Sequence, residues 1–394
     1  MALDLDLAIK VRPTGLRNPR THGTGGGDAI ATFFAGIAEA NKMWLDFDRL
    51  DTEFQQSTGL TPVSATTQSV GLWLGRESWG SKTLTEVLAG QPELRAAGAG
   101  TAMGGWTESG GIVTASGTAS GAESANWALT GATVVGRRYR ISIPNTIPAN
   151  GFYADFGTGT GSQVGYLSSD FSSVILTCTA PGTVIRVGRW SGVVSGSIGP
   201  LSVKEIPGNH GAQTTANSRP RLHSTGIRGD GSDDSLLTRL APDATLNTWL
   251  FDLSAGAGAE NDVVFGSSVS DRLNLSLTGS GAPNVAYGTN ANLIIDSTID
   301  LRGQSAVLVV VTDATHVHLY RDGSLVGSAS RSGQGSIGTG HSLSLFAATN
   351  NSTGALTSQF AGDIRRVRIA KGKAATAAEV AAMTAQIKAM PATL

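Results

Sequence analysis

Apolar residues in this chain fall mostly into short runs of alternating pattern, separated by clusters of Gly, Ser, Thr, Asn and Asp. Period-two runs bounded by turn residues predict β-strands. They recur at Gly111-Ile112-Val113-Thr114, Arg138–Ile143, Phe152–Phe156, Ser173–Thr179, Thr183–Val187 and Gly199–Ile206. A second series follows near Trp249–Leu253, Val263–Phe265, Leu273–Leu277, Ala306–Thr312, His316–Tyr320, Leu343–Ala347 and Asp363–Ile369. Ala306–Val311 is apolar at every position, which predicts a central strand covered on both faces. Asp322-Gly323, set between Val317, Leu319 and Leu325, is a pair that tolerates the positive φ values of a type I′ turn, so a hairpin is predicted there. Helical period appears at the ends only. Asp28 can cap a helix from Ala29 to about Met43, with Phe33, Phe34, Ile37 and Ala40 on one side. Thr376 and Glu379 form a capping box, and Val380, Met383, Ile387 and Met390 line one face of a C-terminal helix.

The fold class expected is therefore all-β, with two tandem β-sandwiches, a short N-terminal helical or extended segment and a C-terminal helix. Composition agrees. Gly is 52 of 394 residues and charged residues are 15%, about twice and well below the respective averages. Small residues and tight turns suit sandwiches of short strands. A net charge of −1 gives the whole molecule no electrostatic claim on nucleic acid. The single cysteine, Cys178, can form neither an intrachain disulfide nor a cysteine metal cluster, and reads as a buried strand residue. No apolar run approaches the ~20 residues of a membrane-spanning helix. The start, Met1-Ala2-Leu3-Asp4-Leu5-Asp6, has acids where a secretory leader carries cations, so no secretory leader is expected.

Residues 1–28 read as an arm: Lys10, Arg12, Arg17 and Arg20 lie among Pro13, Pro19 and Gly25-Gly26-Gly27. Either it is a mobile terminus or it orders on docking to a neighbour. Residues 29–99 form the next unit, and within it Trp44, Asp48, Leu50, Thr52, Phe54, Gln55, Gly59, Thr61-Pro62-Val63 and Val70-Gly71-Leu72 resemble a leader common in phage structural proteins. It is expected to be a structural collar or docking segment. Residues 100–206 carry Gly104-Gly105-Trp106-Thr107, then Gly136-Arg137-Arg138-Tyr139-Arg140-Ile141, then Leu201–Ile206, an order similar to the galactose-binding-like jelly rolls of phage appendages. Pro207–Pro220 reads as a linker into a unit spanning 207–394. There Arg219-Pro220-Arg221-Leu222, Gly226–Leu236 and His316–Gly327 together resemble the signature of concanavalin A-like (laminin G-like) sandwiches of bacteriophage virion proteins.

That resemblance implies a virion structural protein of the fibre, spike or decoration kind, which binds host surface polysaccharide. The implied partners are other virion proteins through the N-terminal segment, a host glycan, and copies of itself, a trimer being the common arrangement. Assembly in the host cytoplasm with exposure on the particle exterior follows, without nucleic-acid binding or membrane insertion. A purely architectural role, with the sandwiches making protein contacts, is the alternative; a polysaccharide depolymerase, the third reading, needs carboxylates brought together from separate strands.

Glycan sites combine an aromatic ring, which stacks on a sugar face, with amides, carboxylates or arginine for the hydroxyls. The candidates are Trp106, Trp127, Tyr153, Tyr166 and Trp190 in the first sandwich, with Trp190 foremost. In the second they are Tyr287 with Asn284 and Asn290, and Asn350 with Asn351. Each aromatic has an equally simple reading as core. Asp230, Asp233 and Asp234 could contribute to a calcium site, as laminin G-like domains sometimes have, or could cap turns. Asp46, Asp48 and Asp51 lack the Gly and distal Glu of an EF-hand loop. His316 and His318 share a strand face, but no third metal ligand is evident. Arg228-Gly229-Asp230 spells an integrin-type tripeptide and reads as coincidence. No strand carries the paired carboxylates of sandwich glucanases, and no nucleophile elbow, zinc helix or phosphate loop occurs, so no enzyme is expected.

Overall fold

A computed structural model describes residues 28–394 except 57–58, 60, 77–78, 80–81, 98–99, 104–105, 110–111, 117–122, 136, 143–151, 157–164, 168–172, 179–180, 190–194, 239, 260, 269–270, 340–341 and 351–354. The protein is all-β with short helices, as its periodicity predicts. Among the described residues no helix is long and apolar enough to cross a membrane.

The first sandwich is built from a five-stranded sheet and two three-stranded sheets. In the five-stranded sheet Val184–Arg189 lies between Phe152–Phe156 and Glu123–Ala128. One small sheet places Arg138–Ser142 between Ser173–Thr177 and Ser202–Ile206. Alternation decides what each face buries. Tyr139, Ile141, Val174 and Leu176 point into a core with Trp106, Trp127 and Phe156, whereas Ile175 belongs to a different cluster on the other side.

The second sandwich has an eight-stranded and an eleven-stranded sheet. In the first, Ala361–Lys371 and Asn247–Ala255 run antiparallel at the centre, followed by Ser305–Thr312, His316–Arg321 and Ser324–Ser330. The second contains Val263–Ser268, Arg272–Leu277, Pro283–Gly288 and Asn290–Ile295 in order. Between them Trp249 and Phe251 pack on Phe265 with ring centroids 4.9 and 5.4 Å apart. Ser305–Thr312 is covered on both faces: Leu308 and Val310 face the inter-sheet core, and Val307, Val309 and Val311 face a helical layer. That layer is the helix Ala377–Lys388, whose Val380, Met383 and Ile387 are buried and whose Thr376–Glu379 capping box is formed. The Asp322-Gly323 turn has φ of 53° and 87°, and Arg321 pairs with Ser324 across it.

The N-terminal part differs from expectation. The helix spans Ala29–Phe34 only, since Ala35 leaves helical geometry and Gly36 follows with φ 77°. Lys42–Asp46, predicted partly as helix, is a strand in register with Arg366–Ala370 of the eight-stranded sheet. Pairing with a long central strand offers five residues a hydrogen-bonded, buried setting that an isolated helix lacks. Glu53–Phe54 and Leu72–Trp73 join the eleven-stranded sheet, so the collar segment is built into the second sandwich on both sheets. The expected linker is also partly a strand, because Gly211–Ala212 lies between Leu72–Trp73 and Leu236–Leu237.

Candidate functional site

A shallow cleft of about 330 Å³ opens at one end of the second sandwich, lined by Tyr287, Ala314, Thr315, Ser330, Arg331, Ser332 and Gly335. Three pieces of chain make it: the end of strand Pro283–Gly288, the turn before His316–Arg321, and the segment leaving Ser324–Ser330. Arg331 braces it. Its Nε donates to the Tyr287 hydroxyl at 2.6 Å and the guanidinium carbon lies 5.0 Å above the Tyr287 ring. Its other nitrogens donate to the carbonyls of Ala244 (2.7 Å), Thr245 (2.9 Å) and Asp313. A planar fork with this many fixed acceptors is rigid. The turn beside it is equally fixed: Asp313 accepts from the Thr315 and His316 amides, both at 2.7 Å, and from His318 Nε2 at 2.9 Å. Partial burial opposes ionisation of Asp313, but the bonds from His318, Thr315 and His316 outweigh it and hold the carboxyl well below the usual range.

Thr315, Ser330 and Ser332 line the cleft, the Thr315 hydroxyl donating to Asp313 and the Ser330 hydroxyl accepting from the Ser332 amide, both at 3.1 Å, and none of its lining residues carries a carboxylate. The cleft can hydrogen-bond a polyhydroxylated ligand. It holds no acid–base pair for cleaving a glycosidic bond.

The aromatic candidates are placed differently from their expected role. Trp106 and Trp127, 5% and 1% exposed, are core residues of the first sandwich, and Tyr287, 1% exposed, lines the cleft with its hydroxyl bonded by Arg331 and its ring under the Arg331 guanidinium. Alternation put these rings inward; sequence alone does not reveal which face of a strand is covered. The side chains of Tyr153 and Tyr166, and Trp190 and Asn351 altogether, lie outside the described residues. Asn284 is buried, its amide nitrogen bonded to Ser276 and the Ala291 carbonyl. Asn290 caps its own turn through the Asn292 amide, and half-buried Asn350 ends a short strand, its amide donating to the Ala355 carbonyl at 2.7 Å.

Asp230, Asp233 and Asp234 do converge, with carboxylate oxygens within 4.8 Å of one another. Two of them also cap the turn: Asp230 accepts from the Ser232 amide at 2.8 Å, and Asp234 from the Asp230 amide at 3.0 Å. Burial, and then the charge of Asp230, push Asp234 up to about 6. The Asp230 amide and Arg221 offset part of this; a bound cation would relieve more of it, and carboxylate oxygens suit a hard ion such as Ca²⁺. In the tripeptide, Arg228 is a strand residue held by Asp363 at 2.6 and 2.8 Å, not a free loop. His316 and His318 share a face as predicted, rings stacked 5.9 Å apart, with His318 engaged by Asp313.

The sequence reading missed Arg331 and a buried ionic network. Arg368, fully buried, donates to Asp46 at 2.6 Å and lies over the Trp44 ring at 4.1 Å. Arg366 and Arg365 donate to Asp252 at 2.8 and 2.7 Å. Arg365, Arg366 and Arg368, set among Ile364, Val367 and Ile369 of a strand-like run, were the signal.

Residues 230–381, under half of the chain, match the family described as the concanavalin A-like lectin/glucanases superfamily. This part of the chain has the concanavalin A-like fold. No curated protein matches the sequence. Among solved structures, domain 4 of AbnA, a GH43 extracellular arabinanase from Geobacillus stearothermophilus in complex with arabinotriose, is similar at 17% identity, over 41% of this chain and 82% of that one, with TM-score 0.31. The CBM40 of Ruminococcus gnavus IT-sialidase bound to α2,3-sialyllactose is similar at 14% identity, over 36% and 83%, with TM-score 0.31. The binding domain of botulinum neurotoxin serotype G is similar at 14% identity, over 41% and 42%, with TM-score 0.30.

Proposed function

We propose that the protein is a non-enzymatic glycan-binding component of a phage or phage-like virion, which holds host surface polysaccharide in the Thr315–Arg331 cleft. The observation that carries the binding reading is the cleft itself: hydroxyls on a floor fixed by Arg331, without a carboxylate in its lining. The concanavalin A-like match of the same stretch supports it. The virion setting rests on the sequence resemblance of the leader and both sandwiches. In it, the N-terminal arm docks to other virion proteins, copies of the chain associate, and the particle exterior displays the second sandwich after assembly in the host cytoplasm. The competing architectural reading draws on Leu325 and Ile295, which are 54% and 42% exposed on neighbouring edge strands.

The test is calorimetric titration of the full chain with host surface polysaccharides, together with an assay for released oligosaccharide. Thr315→Val and Ser332→Ala are each expected to weaken binding by about fivefold to twentyfold, the effect of one hydrogen bond, with no sugar released. Release of oligosaccharide defeats the non-enzymatic part, and absence of binding favours the architectural role.

The acidic turn supplies a separate expectation. Ca²⁺ at Asp230, Asp233 and Asp234 is expected to raise the melting temperature at about pH 7.5, above the value of about 6 to which Asp234 is pushed, and to do so far less at about pH 5, below it. The same calcium shift at both pH values, or in Asp233→Asn, removes the turn as the binding site.

A further inference from the structure

The ribbon made of Glu53–Phe54 and Leu72–Trp73 has two covered faces. Phe54 and Leu72 belong to an apolar cluster with Trp79, and with Ile175 and Ile206 of the first sandwich. Gly59, at the turn leaving the ribbon, lies so close to Ile175 that a Cβ there would stand 2.5 Å from its side chain. Trp73 turns the other way, into the core of the second sandwich. This ribbon, at the edge of the eleven-stranded sheet, therefore packs on both sandwiches, beside Trp79, Leu84 and Val87 of the same apolar cluster.

Glu53 is opposite Trp73 in that ribbon and is 0% exposed. Neither of its carboxyl oxygens has a hydrogen-bond partner among the described residues. The charged groups acting on it are Asp48 and Asp51, both acidic. The cations nearby are committed elsewhere. Arg49 holds Asp51 and the Lys82 carbonyl, Arg76 holds Asp46, and Arg366 holds Asp252 with Asp48 at 3.7 Å. His210, beside the neighbouring strand Gly211–Ala212, accepts the Gly75 amide through Nδ1. A charged carboxylate with no donor among the described residues and two acidic neighbours is strongly disfavoured in such a place, far more than the neutral acid.

We propose that this ribbon is a proton-controlled latch between the two sandwiches, seated while Glu53 is neutral and loosened when its carboxyl ionises. Burial, and then Asp48 and Asp51, raise the Glu53 carboxyl well above its ordinary value of 4.5. The seated form then binds more protons than the open form, so seating weakens as pH rises from that ordinary value toward the raised one, and changes no further beyond it. An appendage built this way holds its two sandwiches together in acid and frees them in neutral or alkaline surroundings.

The experiment is hydrogen exchange on the full chain, corrected for intrinsic rates, between about pH 5 and pH 9. Peptides covering Glu53–Trp73 should lose protection by about tenfold or more across that range, while Ser305–Thr312 stays constant. Glu53→Gln should keep the ribbon protected at every pH. Asp48→Asn, which removes a charge that raises Glu53, should make the loss smaller and end it at lower pH, a test that holds if the glutamine variant does not fold. A wild-type ribbon with no pH dependence, or an unchanged loss in Glu53→Gln, overturns the latch.

Discussion

Asp46→Ala is expected to cost about 3–5 kcal/mol of folding stability, the range for removing one partner of a buried ion pair. Asp46 is 6% exposed and accepts from Arg368 at 2.6 Å, from Arg76 at 3.2 Å and from the Trp44 indole at 2.9 Å. Its loss strands Arg368, whose burial already lowers it to about 10 despite the attraction of Asp46. It also loosens Lys42–Asp46 from the central strand Ala361–Lys371. The double replacement Asp46→Leu with Arg368→Met should be milder, because the fully buried Arg368 is no longer left without its carboxylate, although Arg76 still loses its bond to Asp46. Burial opposes ionisation of Asp46, but Arg368, Arg76 and Arg366 outweigh it and lower its carboxyl below the ordinary 3.8. Its contribution is therefore complete above that value and is lost as pH falls through the lowered one. Urea unfolding of the three proteins checks this, and a single-variant loss below about 1 kcal/mol would mean that water reaches the network.

This network and the Glu53 latch pull in opposite directions with pH, through groups only a few residues apart in sequence. Asp46 gains three guanidinium neighbours, which lower its carboxyl; Glu53 has burial and the two acids Asp48 and Asp51 acting on it, which raise its own. Both lie in the segment that fastens the chain's first described part to the second sandwich. Alkaline conditions should therefore loosen the Glu53 ribbon while leaving the Asp46 anchor intact, a local opening and not a global one.

What the sequence showed and what it hid follow from how far away each determinant lies. The Asp322-Gly323 hairpin and the Thr376 capping box are set by residues within one turn, and both form as read. Ala306–Val311 declared itself central because apolar residues filled both faces. The strand at Lys42–Asp46 was misread because its partner is more than three hundred residues away, where local pattern is blind. The burial of Trp106 and Trp127 was hidden for a related reason: alternation says which i±2 neighbours share a ring's face, not whether that face meets solvent or the opposite sheet. Arg331 was invisible because its acceptors are backbone carbonyls of Ala244, Thr245 and Asp313, which leave no mark in the sequence.

Arg331→Ala should weaken polysaccharide binding by about thirtyfold or more, the loss typical of a binding hot spot. Arg331 need not touch sugar for this to hold. Its removal frees the Tyr287 hydroxyl, the Asp313 carbonyl and the two carbonyls at Ala244 and Thr245 together, so the floor that spaces Thr315, Ser330 and Ser332 is no longer fixed. Arg331→Lys should recover little, since an ammonium supplies a point charge where four acceptors need a planar fork. Tyr287→Phe keeps the ring under the guanidinium and loses one bond, so its effect should be several times smaller. Ranked affinities in the order wild type, Tyr287→Phe, Arg331→Lys, Arg331→Ala, with folded circular-dichroism spectra throughout, would tie recognition to this cleft. Wild-type affinity in folded Arg331→Ala would move the glycan site elsewhere on the protein, and the rigidity of the cleft would then serve the sandwich alone.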